Sequence, residues 1–357
     1  MSHYEERLER DLNALRENIA GMAAQVQASL GNAVHALQHG DRQLAAETVL
    51  ADHPVNRKMR EIDAACHVFI AVHLPSGRHL RLLSSFIRVN IALERIGDYA
   101  TTIARASSQM AGPPEGRMGH ELDRFSGEVK TMLDQSVKAF NELNAELARG
   151  TKVLEQEMEF DLDGIYAELM ANPEHANAQS LLNIFTVFTN LKRVADQAKN
   201  ICEDTIFAET GETKEPKVYN ILFLDRDNSC LSQMAEALAR NAFPGSSSYS
   251  SAGASPAAQV DQATLDFLAE KGVDTSGAQP SAIEFTEHEL AEFHLVVSLQ
   301  GPVSDYLQKL PFHTNGIQWT IEQPGSSSDA EQMKSVYREL RSQISELMHQ
   351  LRGEDAP

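Results

Sequence analysis

The chain has 357 residues, of which 42% are hydrophobic, and a formal net charge of −20 at pH 7. This acidic balance excludes non-specific nucleic-acid binding, which needs a dense surface of Lys and Arg, and it disfavours adsorption to anionic lipid. No apolar run approaches the roughly 20 residues that cross a bilayer, so we expect no membrane insertion. Three scattered cysteines favour a reducing compartment over a disulfide framework, and we expect a cytoplasmic protein.

The first 210 residues predict two bundles of three helices. Apolar residues recur at steps of three or four from Leu8 to Leu37, which marks one face of a long amphipathic helix. Gly40 ends this helix, and Asp41 is placed to cap the second, which runs to Leu74 before a Pro-Ser-Gly break. The other helices are predicted over about 78–110, from 121 to a break at Gly150, from there to 172, and over 176–209.

The two bundles are predicted to be copies of one unit. The segment Leu93–Ala100 matches Leu191–Ala198 at an offset of 98 residues, and such self-similarity indicates duplication. Short Gly/Pro connections between long helices indicate antiparallel neighbours. The predicted domains are the bundles 1–112 and 113–210, a polar linker 211–217, and a last domain 218–357.

Strands and helices alternate after the linker. This alternation predicts a parallel sheet covered on both faces, so the predicted fold class is multidomain, all-α followed by α/β. Asp225 directly follows the first strand, at the edge where ligands of such sheets bind. Strands are predicted at 218–224, 247–251, 294–299 and 317–319, and helices at 232–240, 263–271 and 329–351.

Carboxylates on the repeated helices are candidate metal ligands. Glu94 and Asp98 are four residues apart and project from one helical face, and Asp196 is the counterpart of Asp98 in the second repeat. Carboxylates on neighbouring helices suit a divalent or trivalent cation, although an acidic pair on a helix is more often a solvated face. In the second repeat Lys192 occupies the position that corresponds to Glu94. Its ammonium cannot ligate a cation and should pair with Asp196.

The motif Leu93–Asp98 and its second copy resemble the signature of PhoU, the phosphate-uptake regulator, over about residues 4–212. Supporting segments are Pro54–Arg57, Leu80–Arg81 and Thr205–Phe207. The resemblance implies paired three-helix bundles, metal ligation at Glu94, Asp98 and Asp196, contacts with a phosphate transporter and a sensor kinase, and a homodimer. Two departures, Lys192 and a histidine at position 79 where the family usually has an aspartate, imply one intact metal site at Glu94 and Asp98 and a weakened or absent one at Asp196.

The segment Phe223–Glu236 resembles the phosphate-binding loop of low-molecular-weight phosphotyrosine phosphatases and arsenate reductases, and the resemblance spans about residues 218–352. That family uses a cysteine nucleophile, then five residues, then an arginine, but Asp225 and Leu231 hold these positions. After Trp319, Gln323 replaces the aspartate that acts as general acid, and an amide cannot deliver a proton. We therefore expect no catalysis. The expected anion loop consists of Asp225, Asn228, Ser229, Cys230 and Ser232.

Three functions remain open for this loop. We expect the carboxylate of Asp225 to occupy the nest of backbone N–H groups, which leaves the domain as a scaffold. Alternatively, the pair Asp225 and Asp227 matches the start of haloacid-dehalogenase-type phosphatases, in which the first aspartate attacks phosphate with the help of magnesium. A third hypothesis is an anion sensor that binds phosphate or arsenate weakly.

Overall fold

The chain divides near residue 214 into a helical unit, Met1–Lys214, and an α/β unit, Glu215–Pro357, in the computed structural model. The structure describes residues 3–171, 178–214, 217–311, 313–322, 324 and 330–353. The hydrophobic core of each unit is built from that unit's own residues. Across the described ranges, every helix is too short or too polar to span a bilayer.

The helical unit confirms the predicted all-α fold of the first half. The described helices are α1 (His3–His39), α2 (Arg42–Leu50), α3 (Asp52–His73), α4 (Gly77–Gln109), α5 (Gly116–Glu142), α6 (Ala145–Ala171) and α7 (Ala178–Thr210). The last helices of the two repeats, α4 and α7, pack against each other. In addition, α4 packs against α1, α2 and α3, and α7 packs against α5 and α6. The helices that carry the repeated motif therefore lie side by side.

The second predicted helix is divided into two helices at Ala51. Asp41 caps α2 as expected, because its side chain accepts a hydrogen bond from the Leu44 N–H. The division follows from Pro54, which has no N–H to donate to Leu50 and whose ring would collide with the Leu50 carbonyl in a continuous helix. Pro54 is tolerated in the first turn of α3, where no such bond is required.

The predicted break at Gly150 is wrong. The chain turns at Leu143, which adopts a left-handed conformation with φ of 49°, and Gly150 lies inside α6. Asn144 then starts α6, because its Oδ1 accepts a hydrogen bond from the Leu147 N–H at 2.9 Å. Capping by an asparagine side chain thus decides this boundary, while the glycine is accommodated in the helix.

The α/β unit confirms the predicted parallel sheet. The described elements are β1 (Tyr219–Asp225), α8 (Leu231–Ala242), β2 (Ser247–Gly253), α9 (Gln262–Glu270), α10 (Glu287–Ala291), β3 (Leu295–Ser298), β4 (Asn315–Gln318) and α11 (Ala330–Arg352). The strand order is β2-β1-β3-β4, and every neighbouring pair is parallel. The short helix α10 and a 3₁₀ turn at Val303–Asp305 were not predicted.

The central strand β1 places the loop that follows it. Ile221 and Phe223 pack into the core cluster that includes α8 and α11, whereas Leu222 and Leu224 pack into the cluster on the other face of the sheet. Because β1 pairs with β2 on one side and β3 on the other, its carboxyl end lies where the strand order reverses. Such switch points open the crevice in which α/β proteins bind ligands.

Candidate functional site

The loop between β1 and α8 is organised around the carboxylate of Asp225. This residue is 2% exposed. Its Oδ1 accepts a hydrogen bond from the Asn228 N–H at 2.6 Å, and its Oδ2 accepts one from the Ser232 N–H at 2.8 Å. Ser232 lies in the first turn of α8, whose N–H groups have no partner within the helix. Both oxygens of Asp225 thus bind backbone donors of the kind that hold anions at helix N-termini.

Asn228 holds the loop in this shape. Its backbone is left-handed, with φ of 49°, and its Nδ2 donates to Ser232 Oγ at 2.7 Å. Its Oδ1 accepts from Gln233 Nε2 at 3.0 Å and from the Ser281 N–H at 2.7 Å. Gly253 packs directly against it, since a Cβ at that position would come within 2.7 Å of the Asn228 nitrogen.

The other loop residues are engaged within the protein. Asp227 Oδ1 accepts from the N–H of Ser229 at 3.1 Å and from its Oγ at 2.8 Å. Cys230 is buried, with its Sγ accepting from Thr264 Oγ1 at 3.2 Å. Leu231 is 1% exposed and belongs to the main core cluster of the unit. Its side chain therefore contributes to the core.

Burial sets the protonation of two loop groups. It raises the pKa of the Cys230 thiol to about 11, against the opposing hydrogen bond from Thr264, so the group is a thiol at neutral pH. Burial also raises the pKa of Asp225, and the charge of Asp227 adds to this effect. The hydrogen bonds from Ser232 and Asn228 act in the opposite direction, because they favour the ionised carboxylate.

The two carboxylates of the first repeat's motif, Glu94 and Asp98, lie near a third, Asp52 of α3. Burial raises the pKa of Glu94, and the charges of Asp98 and of Asp52 at the start of α3 raise it further. The pKa of Asp98 is raised by burial and by Asp52 as well. Asp52 Oδ2 accepts from Asn56 Nδ2 at 2.6 Å, while its buried Oδ1 has no hydrogen-bond partner.

Asp52 was not predicted from the sequence as part of this group. It lies two residues before the segment Pro54–Arg57, which was already part of the family resemblance. Its proximity to Glu94 depends on the packing of α3 against α4, which the sequence does not show. His79, which stands where the family usually has an aspartate, lies beside Glu9 of α1, with 3.7 Å between its Nε2 and Glu9 Oε1.

The motif of the second repeat forms an ion-pair network. The Lys192 ammonium donates to Asp196 Oδ1 at 2.5 Å, which is the pair that the four-residue spacing predicts. It also donates to Glu155 Oε1 of α6 at 2.6 Å, and Lys199 donates to Glu155 Oε2 at 2.6 Å. Burial alone would raise the pKa of Glu155, but the two lysines outweigh it and lower that pKa to about 2.

Comparison with known families agrees with this architecture. The PhoU domain family matches residues 19–107 and 122–205. The low molecular weight phosphotyrosine protein phosphatase family matches residues 220–356. The chain joins a PhoU domain to a low molecular weight phosphotyrosine phosphatase domain.

Individual relatives cover either part of the chain. The phosphate-specific transport system accessory protein PhoU homolog of Pseudomonas aeruginosa is 29% identical over 214 residues, or 58% of this chain and 88% of that protein. The crystal structure of PhoU from Pseudomonas aeruginosa matches 57% of this chain and 99% of its own, with 29% identity and a TM-score of 0.55. The arsenate reductase from Archaeoglobus fulgidus matches 36% of this chain and 98% of its own, with 29% identity and a TM-score of 0.31.

The two motifs of the PhoU domain differ in their suitability for a cation. In the first, three hard oxygen donors with an unpartnered buried oxygen have the chemistry that a divalent or trivalent cation requires. In the second, an ammonium already lies between the carboxylates. Throughout the described part of the chain, no group of three or more His, Cys, Asp or Glu side chains is placed so that it could hold a metal ion.

One predicted site residue of the phosphatase domain is the glutamine at the position of the general acid. Gln323, which occupies it in the sequence, lies outside the described residues. Trp319 and Ile321, which precede it, are buried in the core cluster of this domain.

Proposed function

We propose that this protein is an accessory regulator of phosphate transport whose phosphatase domain does not catalyse. The PhoU domain is similar to a phosphate-specific transport system accessory protein over 88% of that protein's length, which supports the regulatory role. The PhoU domain acts by contacts with a phosphate transporter or a sensor kinase, in the cytoplasm and as a homodimer. The phosphatase domain serves as a scaffold within this regulator.

The observation that supports an inactive domain most strongly is the position of the Asp225 carboxylate. It accepts hydrogen bonds from the loop and from the first turn of α8, where the resemblance places a cysteine nucleophile beneath the phosphoryl group. A phosphate that entered this loop would meet a negative charge and would find these two donors occupied. Leu231, at the position of the phosphate-binding arginine, has no donor and is buried.

The competing function is a metal-assisted phosphatase with Asp225 as nucleophile. Such a nucleophile must reach the phosphorus atom, but the Asp225 side chain is almost fully buried and both its oxygens are engaged. Asp227, the second aspartate of that motif, is engaged with Ser229. The loop geometry therefore favours the scaffold over the enzyme.

Turnover of p-nitrophenyl phosphate with magnesium separates these two functions. We expect the full-length protein to hydrolyse it no faster than Asp225→Asn, because the residue does not act as a nucleophile. Turnover by the wild-type protein that disappears in Asp225→Asn would establish the enzyme instead. In cells that lack the protein, phosphate uptake should escape repression in phosphate-rich medium, and the Asp225→Asn chain should restore repression as well as the wild type.

A cation site in the first repeat is the second part of this proposal. Glu94, Asp98 and Asp52 would hold the ion, which would neutralise their mutual repulsion and connect α3 with α4. We expect Glu94→Gln to weaken the binding of Mn²⁺ at least tenfold in calorimetry of the full-length protein. The matched control is Glu17→Gln, which removes an exposed carboxylate from α1 and should leave the affinity unchanged.

A further inference from the structure

The two repeats of the PhoU domain place corresponding residues at corresponding points of their helices. Glu94 and Asp98 of α4 correspond to Lys192 and Asp196 of α7 in the aligned motifs. The second helical stretch of each repeat begins at Arg42 and at Ala145. Asp52 and Glu155 each lie ten residues after these starts and approach the motif on the neighbouring helix.

The charges of the corresponding residues in the two repeats differ at one position. The first repeat has Asp52, Glu94 and Asp98, which are three carboxylates that repel one another. The second repeat has Glu155, Lys192 and Asp196, so a carboxylate is replaced by an ammonium at the middle position. The remaining two carboxylates lie on different helices, α6 and α7, and the ammonium contacts both.

The contacts of Lys192 are those of a bridging cation. Its Nζ lies 2.6 Å from Glu155 Oε1 and 2.5 Å from Asp196 Oδ1, and the side chains of Lys192 and Glu155 are only 12% and 5% exposed. Lys199 satisfies the other oxygen of Glu155 at 2.6 Å. Buried carboxylates require such partners, because unpaired charge in the interior of a protein is strongly unfavourable.

We infer that Lys192 is a built-in replacement for a metal ion, which makes the second repeat independent of metal while the first keeps the carboxylates of a cation site. The residue at position 192 thus decides whether this repeat binds a cation from solution. With a glutamate there, the second repeat would have three carboxylates like the first. With lysine, Glu155 and Asp196 are already neutralised and connected.

Metal binding by the full-length protein tests this inference when the first repeat is silenced by Glu94→Gln and Asp98→Asn. In this background the chain with Lys192 should bind no Mn²⁺ in calorimetry after treatment with a chelator. Addition of Lys192→Glu should create about one saturable Mn²⁺ site per chain, where the background protein shows none. The control Lys199→Gln, which leaves the Lys192 bridge in place, should create none.

A second variant keeps the test decisive if Lys192→Glu fails to fold. Lys192→Gln removes the positive charge but retains a hydrogen-bond donor, so the melting temperature without metal should fall by about 5–10 °C. Mn²⁺ should restore part of this loss in Lys192→Gln and should not raise the melting temperature of the background protein. Metal binding by the background protein, or no effect of Mn²⁺ on either Lys192 variant, would overturn the inference.

Discussion

A single charged side chain lies at the centre of the phosphatase-domain loop and of the second PhoU repeat. In the phosphatase domain the Asp225 carboxylate accepts hydrogen bonds from two backbone N–H groups. In the second PhoU repeat the Lys192 ammonium donates hydrogen bonds to both Glu155 and Asp196. In each place a residue supplies the charge that the family resemblance assigns to a ligand, negative for phosphate and positive for a metal. A tethered charge of this kind needs no ligand from solution.

The titration of Asp204 should make the stability of the fold depend on pH. Burial raises its pKa from 3.8 to about 6, against the opposing effect of Arg88, and its side chain is 13% exposed. An acid whose pKa is higher in the folded state stabilises the fold below its unfolded pKa and loses this contribution as pH rises through the folded pKa. The relevant window is therefore about pH 4 to 6.

We expect Asp204→Asn to remove this pH dependence. The unfolding free energy of the wild type should fall by about 2–3 kcal/mol from this group between pH 4 and pH 7, and the variant should lack that decrease. Urea unfolding followed by circular dichroism at several pH values measures the difference in slope. Parallel slopes for the two proteins would show that Asp204 does not titrate in this window.

At the scale of elements, most helices and strands follow from local pattern. The apolar periodicity of α1 and the apolar run of β1 sufficed to predict both. The boundary between α5 and α6 was not predicted from the local pattern, because Leu143 adopts a left-handed conformation that is usually found at glycine. The helix α10 was missed because five residues are too few to show a helical period.

The candidate sites were predictable only as far as they are local. Asp225, Asn228 and Ser232 belong to one short loop, so their order in the sequence was enough to bring them together. Asp52 comes near enough to Glu94 to raise its pKa, and Glu155 accepts a hydrogen bond from Lys192, only through the packing of separate helices. No periodicity within one helix specifies such a contact, and these two carboxylates were therefore not predicted.

Asn144 allows a direct test of the α6 boundary. Its side chain caps the helix through the Leu147 N–H, so Asn144→Ala should lower the unfolding free energy by about 1 kcal/mol. Asn144→Asp keeps an acceptor and adds a charge favourable at a helix N-terminus, and it should stay within a few tenths of a kcal/mol of the wild type. Equal losses in the two variants would mean that this hydrogen bond does not stabilise the helix.

The chain as a whole combines a PhoU domain with a phosphatase domain, and we propose that it regulates without catalysis. In this proposal the Asp225 carboxylate fills the anion nest. Removal of this carboxylate should then free the backbone donors of Asn228 and Ser232 for an inorganic anion. Without an arginine at position 231, that anion should still bind weakly.

Calorimetric titration of the full-length protein with inorganic phosphate, and separately with arsenate, shows whether Asp225 excludes these anions from the loop. The wild type and the control Asp266→Ala, which removes an exposed carboxylate from α9, should show no saturable binding. Asp225→Ala should bind with a Kd on the order of 1 mM, or about −4 kcal/mol, and Asp225→Asn, which keeps the size of the side chain, should bind more weakly. Saturable binding by the wild type as tight as that of Asp225→Ala would contradict the account and would identify the loop as an anion sensor.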